Sequence, residues 1–400
     1  MKNIDIYINK DNENSISRLK KFSIALLDYI TLLLLSLMLF ATFDSVYHIT
    51  KAYKNNSNNI TIYEKELVDI AISSKLTYII ENDDNTKSLR SIEAMATDYI
   101  KNQVYTVLLE NDREIDKDFF KDSIIIDKEN DALFYYYSYF RVDNKENYIN
   151  FDDSKTESSI KNKLLDLCKN DINNYFNNDE YPLLNVSIAT EVYIHLKDNI
   201  NEENSALNVI TNSYQTLLEE AINEFMNSYS PYIEVQKIYS YEYDRLYRNE
   251  IYILLVVHLI SIIIIYFVLP SIFKEGRTLF MKLFKIKCLK TDNNEITISN
   301  NLIRAIVLFI TYLFTPIIVS LVLHNADIFI SVLFTNFFEI FNLFAVGTLA
   351  ILFTACGGIF TFYRKKRKQT IAEAIAMMVA YDDNRVQVLT IGDKKFELNL

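Results

Sequence analysis

The sequence predicts an all-α membrane protein, with four transmembrane helices and a mostly helical extracytoplasmic domain between helices 1 and 2. Three observations lead there. First, half of the 400 residues are hydrophobic and they concentrate in four runs, 22–43, 251–273, 305–326 and 340–363; the first holds a single charge, Asp28, and the others none. Each run exceeds the roughly 18–20 apolar residues that cross about 30 Å of hydrocarbon at 1.5 Å per residue. Second, Lys and Arg crowd the flanks before run one, between runs two and three and after run four, whereas 324–339 has neither. Because these residues resist translocation, both termini are expected in the cytoplasm. Third, the long segment between runs one and two has helical periodicity, so it is expected to fold outside the bilayer as helices.

The elements follow in order. Residues 1–21 are a cytoplasmic N-terminus. Residues 22–47 form transmembrane helix 1, an uncleaved anchor because its apolar run is longer than a signal core of about 7–15 residues. Residues 48–249 form the extracytoplasmic domain, with 21 Lys/Arg against 36 Asp/Glu, a net charge of −15. That balance repels nucleic acid, so no nucleic-acid partner is expected. Within the domain, periodicity predicts helices over 62–81, 89–109, 160–176, 206–226 and 233–247. The last runs without Gly or Pro into transmembrane helix 2, 250–273. The aromatic stretch 134–140 reads as a strand paired with 148–151. Residues 274–303 are a cytoplasmic loop in which 285–288 and 295–298 alternate around Asp292-Asn293-Asn294 as a hairpin. Transmembrane helix 3, 304–323, is kinked by Pro316. An outer loop, 324–339, places Asp327 and Glu339 at the interface. Transmembrane helix 4, 340–363, carries Ala350, Thr354 and Gly358 at every fourth position, a ridge for close helix approach. The cytoplasmic tail, 364–400, opens with a basic run. It continues as an apolar stretch, 370–381, suited to lie at the inner interface, and ends in a hairpin of 386–391 and 395–400 around Gly392-Asp393.

Three segments then stand out together. Lys21 is followed seven residues on by Asp28. Gly276-Arg277-Thr278-Leu279 precedes Asp292-Asn293-Asn294 and Leu302-Ile303-Arg304. Arg367-Lys368-Gln369-Thr370-Ile371-Ala372-Glu373 closes the set. In this order they resemble the RDD family of bacterial membrane proteins: its first helix, its G-x-T-L turn with a short hairpin and helix start, and its closing basic-T-L-x-D segment. Lys21, with Arg18 one turn before it, stands where the family has its arginine. Glu373 replaces the second aspartate, and Phe280 and Met281 occupy the usual Gly-Lys positions. The resemblance covers 15–47 and 250–383 and leaves the outer domain unaccounted for. It implies a multi-pass plasma-membrane protein of a family in which transport of ions or small solutes is suggested for some members, and it carries no catalytic set.

An aspartate at the centre of a span costs about 2.5–3.5 kcal/mol, so Asp28 is expected to face protein or water. It lies about 10 Å deep from Lys21, on the helix face that Arg18, Lys21 and Ala25 share. Counting seven residues inward along the other spans reaches Tyr266, then Thr311 beside Tyr312, then Cys356 near Thr354. The predicted polar intramembrane and interface cluster is therefore Lys21, Asp28, Tyr266, Arg304, Thr311 and Glu373. Asp28 reads either as a proton or cation site or as a packing group paired with Arg304. Glu373 reads either as the capping-box partner of Thr370 or as a member of a charge network with Asp28 and its cations.

H-E-x-x-H, Walker, G-x-S-x-G and dinucleotide signatures are absent, so no enzyme, catalytic residue or cofactor is expected. Four scattered His and three distant Cys predict no metal cluster, and His258 reads as a packed neutral imidazole. Two functions stay open. One is ion or small-solute handling by a homo-oligomer in the lipid bilayer, since four spans are few for a pathway. The other is a membrane anchor that presents its acidic domain to an extracytoplasmic protein partner.

Overall fold

A computed structural model of the chain describes residues 16–398 apart from 82–86, 170–173, 199, 201–204, 274, 292–294, 364–368, 383–386 and 392–393. Its elements run α1 (Arg18–Ile49), α2 (Lys51–Ser73), β1 (Ile79–Glu81), β2 (Lys87–Leu89), α3 (Ile92–Glu110), α4 (Ala132–Tyr135), α5 (Arg141–Asp143), α6 (Glu157–Leu167), α7 (Val186–Asp198), α8 (Ala206–Ser228) and α9 (Ser230–Ile263). They continue with α10 (Leu269–Phe273), α11 (Leu279–Leu283), β3 (Ile286–Lys290), α12 (Ile298–Thr311), α13 (Thr315–Leu323), α14 (Ala326–Phe334), β4 (Asn336–Phe337), β5 (Phe341–Asn342), α15 (Leu343–Tyr363), α16 (Ile371–Ile375), β6 (Met378–Asp382), β7 (Gln387–Ile391) and β8 (Lys394–Leu398). Two compact units result, one from the residues up to Ser57 together with those from Tyr243 onward, the other Asn58–Glu242.

Among the described residues three helical segments are long and apolar enough to cross a membrane: Leu19–Ile49, Ser230–Phe273 and Leu343–Phe360. The predicted third span is instead a broken pair, α12 and α13, bent by 54°. Pro316 explains the break. It has no N–H to give the Tyr312 carbonyl four residues back, and that carbonyl accepts from the Thr315 N–H at 2.8 Å. Pro316 then sits in the first turn of α13, where a missing donor costs nothing. The predicted outer loop is also partly helical. Asn325 caps α14 by accepting the Ile328 N–H, and this helix of nine residues, about 13 Å long, is too short to span.

Strand pairing overturns one hairpin. Residues 285–288 do not fold back on 295–298; β3 pairs antiparallel with β6, Cys288 opposite Ala380. The second half leads into α12, which starts at Ile298 and where Thr297 and Asn300 form a capping box. Its turn residues, Asp292-Asn293-Asn294, lie outside the described residues. The same pairing converts the end of the predicted interfacial stretch 370–381 into strand, so only Ile371–Ile375 is helical. The hairpin at the C-terminus is present as β7 with β8, Leu389 opposite Phe396; its turn residues, Gly392-Asp393, lie outside the described residues.

The second unit has its own core. One face of α3, with Met95, Tyr99, Ile100, Val104 and Val107, packs with Ile210, Tyr214, Leu217, Leu218 and Ala221 of α8. Tyr99 and Tyr214 stack at 3.8 Å between ring centroids. Asp131 is buried beside them. It caps α4 through the Leu133 and Phe134 N–H groups and accepts from the hydroxyls of Tyr181 and Tyr214, each at 2.8 Å. The predicted strand 134–140 is the end of α4 and a wide π turn over Tyr136–Phe140, which continues into α5. Leu133, Phe134, Tyr136, Tyr137 and Phe140 are all buried, which is the spacing of a helix face and not the alternation of a strand. Two predicted helices stop early. Residues 62–81 leave helix after Ser73 and end in β1, and 160–176 leave it after Leu167; α7 was not anticipated. The run from 233 to 247 is continuous helix within α9, as the absence of Gly and Pro predicts.

Candidate functional site

Asp28 projects from α1 and is 3% exposed. Its nearest partner comes from the turn before α11. Thr278 caps that helix by accepting the Met281 N–H at 3.4 Å, and its hydroxyl donates to Asp28 Oδ2 at 2.7 Å. Asp28 Oδ1 is buried without a hydrogen-bond partner. Two residues earlier, Gly276 has φ +62°, a conformation that favours glycine, and a Cβ there would lie 2.7 Å from Ile296 and 2.9 Å from Met378. This sharp turn aims the Gly276 carbonyl at Arg304, whose Nη1 donates to it at 3.0 Å. Arg304 is 5% exposed. Its guanidinium is thus held by backbone. It makes no ion pair with Asp28 within 4 Å among the described residues, so the pairing that is one of the two readings of Asp28 is not formed directly. A short threonine on the turn reaches Asp28 first.

The second acidic group is Glu373 on α16, 2% exposed. Oε2 accepts from Lys21 Nζ at 2.7 Å and from the Thr370 N–H at 2.8 Å, while Thr370 Oγ1 accepts the Glu373 N–H at 3.2 Å. Capping box and ion pair therefore coexist. Burial raises the carboxyl's pKa, but Lys21 and Arg304 outweigh it, so Glu373 stays below the ordinary carboxylate range.

Between these two carboxylates lies a cavity of about 380 Å³. Lys21, Asp28, Tyr266, Arg304, Thr311 and Glu373 all line it, together with Tyr312, Thr354 and Gly358. Tyr266 reaches it from a π turn at Ile264–Val268, a local widening that appears often at functional sites. Thr354 ties two helices together by donating to the Thr311 carbonyl at 2.9 Å. Some expectations fall elsewhere. Cys356 is exposed and does not line the cavity. Gly358 meets nothing within 4 Å, so the close approach expected of it belongs to Gly347, whose Cβ would lie 2.0 Å from Ile317. His258 is 1% exposed and stacks on Phe309, a packed imidazole as predicted. The side chain of Arg18 and the basic run 364–368 lie outside the described residues.

Thr278 is the site residue that sequence reasoning missed. Its position in the quoted G-x-T-L turn was visible, and a threonine before a short apolar stretch is a capping signal. Its bond to a residue 250 positions away was not readable.

Residues 225–376 match the family model of the RDD family, a family of membrane proteins. The matched span contains Tyr266, Thr278, Arg304, Thr311 and Glu373; Lys21 and Asp28 lie before it. No curated protein and no solved structure is similar enough to the chain to count as a match.

Proposed function

From an RDD-family segment that supplies most of the cavity wall, we propose that the membrane unit handles a proton or a monovalent cation at Asp28, in a homo-oligomer of the plasma membrane, without enzymatic chemistry. The observation that carries this reading is the unequal treatment of the two Asp28 oxygens. Thr278 holds Oδ2, and Oδ1 is buried with no partner beside a cavity. A buried oxygen of this kind is costly unless a proton, a water or a cation satisfies it. Lys21, Arg304 and Glu373 balance the local charge, so a change at Asp28 is felt by all three. In the proposed topology α1, α9 with α10, the bent pair α12 and α13, and α15 are four spans, with both termini cytoplasmic and the cavity in the inner leaflet. The Lys/Arg distribution supports that orientation.

The test is ion-dependent proton movement in proteoliposomes containing the full-length protein. Asp28→Asn is expected to abolish the cation-driven dissipation of a pH gradient while leaving insertion and monodispersity unchanged. Equal rates for wild type and Asp28→Asn would retire the ion-site reading. A second reading, an anchor presenting Asn58–Glu242 to an extracytoplasmic protein, is supported by that unit's separate core and its acidic balance. It predicts that Asp28→Asn is silent and that deleting the outer unit alone removes function.

A further inference from the structure

We propose that Asp44, His48 and Glu250, with His324 beside them, bind a divalent transition-metal ion of the Zn2+ class. The four come from three elements of the first unit: Asp44 and His48 from the last turns of α1, Glu250 from α9, and His324 from the residue that ends α13. Asp44 lies 16 residues beyond Asp28, about 24 Å along the helix, so this is a second location and not an extension of the cavity.

The geometry suits a metal. Asp44 and His48, four residues apart, share a helix face. One ligand atom from each of Asp44, His48 and Glu250 lies within 4.8 Å of the others. Bonds of about 2.0–2.2 Å place paired donors up to about 4.4 Å apart, so small side-chain rotations close the set.

One tautomer of each histidine suits the same role. His48 Nδ1 is 2.8 Å from the Asp44 carbonyl and 3.2 Å from Asp44 Oδ2, and with a proton on Nδ1 towards these oxygens Nε2 keeps its lone pair for a metal. The Tyr53 ring, 4.1 Å away between centroids, holds the imidazole in place. At His324, Nδ1 is 3.2 Å from both the Ser320 hydroxyl and the Ser320 carbonyl, and Nε2 faces Glu250 Oε2 at 3.6 Å. When the Nδ1 proton goes to the Ser320 carbonyl, Nε2 presents its lone pair to the side on which Glu250 Oε2 lies, the arrangement a metal ion would bridge.

The carboxylates are also short of partners. Glu250 Oε2 and Asp44 Oδ1 are buried without hydrogen bonds, and the Glu250 side chain is only 7% exposed. Among the described residues no lysine or arginine pairs with either. Two nearby carboxylates without a cation repel one another, and a divalent ion removes both the repulsion and the unpaired oxygens. Imidazole with carboxylate favours Zn2+ and its transition-metal neighbours over Mg2+ or Ca2+, which take oxygen ligands. His48, 39% exposed, leaves the site open to solvent. The proposal departs from the sequence expectation of no His-based cluster, because His48 and His324 are distant in the chain and come together only in the fold.

The experiment is titration of the metal-stripped, full-length protein in detergent with Zn2+, and with Co2+ as an absorbing stand-in. One ion per chain is expected, with visible Co2+ absorption bands and a Zn2+-dependent rise in melting temperature. Glu250→Gln and His48→Ala should each weaken binding at least tenfold, by analogy with the sensitivity of metal sites to lost support. Asp28→Asn should bind as wild type does, which separates this site from the cavity. His48 is the more exposed of the two tested positions, so its variant decides the matter if Glu250→Gln does not fold. No saturable Zn2+ binding would mean that a protonated His324 alone neutralises Glu250, and the site would be withdrawn. Equal affinity in wild type and His48→Ala would place the ion on the acidic surface and overturn the proposal as well.

Discussion

Oε2 of Glu373 accepts two bonds at once, from the Thr370 backbone and from Lys21, and the two partners can be removed separately. Glu373→Gln keeps an acceptor for the cap and removes a charge. Lys21→Met leaves a buried carboxylate with one cation fewer, the change that costs about 3 kcal/mol or more when a buried pair is broken from one side. Lys21→Met is therefore expected to lower the melting temperature of the detergent-solubilised protein clearly more than Glu373→Gln does. The reverse order would show that capping is the larger contribution. A second buried carboxyl behaves oppositely with pH. Burial pushes Asp131 up to about 6, against several hydrogen bonds that lower it. A raised folded pKa means that the folded state holds the proton longer, so the group's contribution is fully present below the unfolded value of 3.8 and is lost as pH rises towards 6. Glu373, whose pKa is lowered, contributes above the ordinary carboxylate range and loses its contribution as pH falls. Urea unfolding of the outer unit should show wild type losing stability relative to Asp131→Asn between about pH 4 and 6. Parallel curves for the two proteins would refute that assignment.

At the scale of elements, the turn at 275–278 decides more than its length suggests. Gly276 supplies a left-handed conformation and the carbonyl for Arg304, and Thr278 supplies the cap of α11 and the proton for Asp28. Gly276→Ala combines a disfavoured φ with contacts to Ile296 and Met378, so a loss of about 1–3 kcal/mol is expected. Gly358→Ala, inside α15 and meeting nothing within 4 Å, should keep or raise the melting temperature. A comparison of the two variants by thermal unfolding checks both statements. The hairpin error at 285–298 has a physical origin at the same scale. Alternation identifies a strand but not its partner, and β3 found its partner in residues about 90 positions away. The aromatic stretch 134–140 failed for a related reason, because aromatic residues suit strands in general while the buried set here recurs with helical spacing.

The molecule as a whole consists of two units with separate cores, and this predicts that Asn58–Glu242 expressed alone is soluble and mainly helical by circular dichroism. A random-coil spectrum would show that the outer unit depends on the rest of the chain. Much of this architecture was legible along the chain, because the determinants are local. Runs of apolar residues mark helices able to cross a membrane, Pro316 marks the break between α12 and α13, and Thr370 with Glu373 marks a capping box. Counting equal depths along the spans also named Tyr266 and Thr311, which line one cavity with Asp28, and Cys356, which does not. That succeeded because helical rise converts sequence position directly into depth. Azimuth is another matter. Which face of one helix meets which face of the next depends on side-chain packing between distant segments. Only the tertiary structure decided that Thr278 and not Arg304 bonds Asp28, that Cys356 faces away, and that Asp44, His48, Glu250 and His324 gather at the far end of α1.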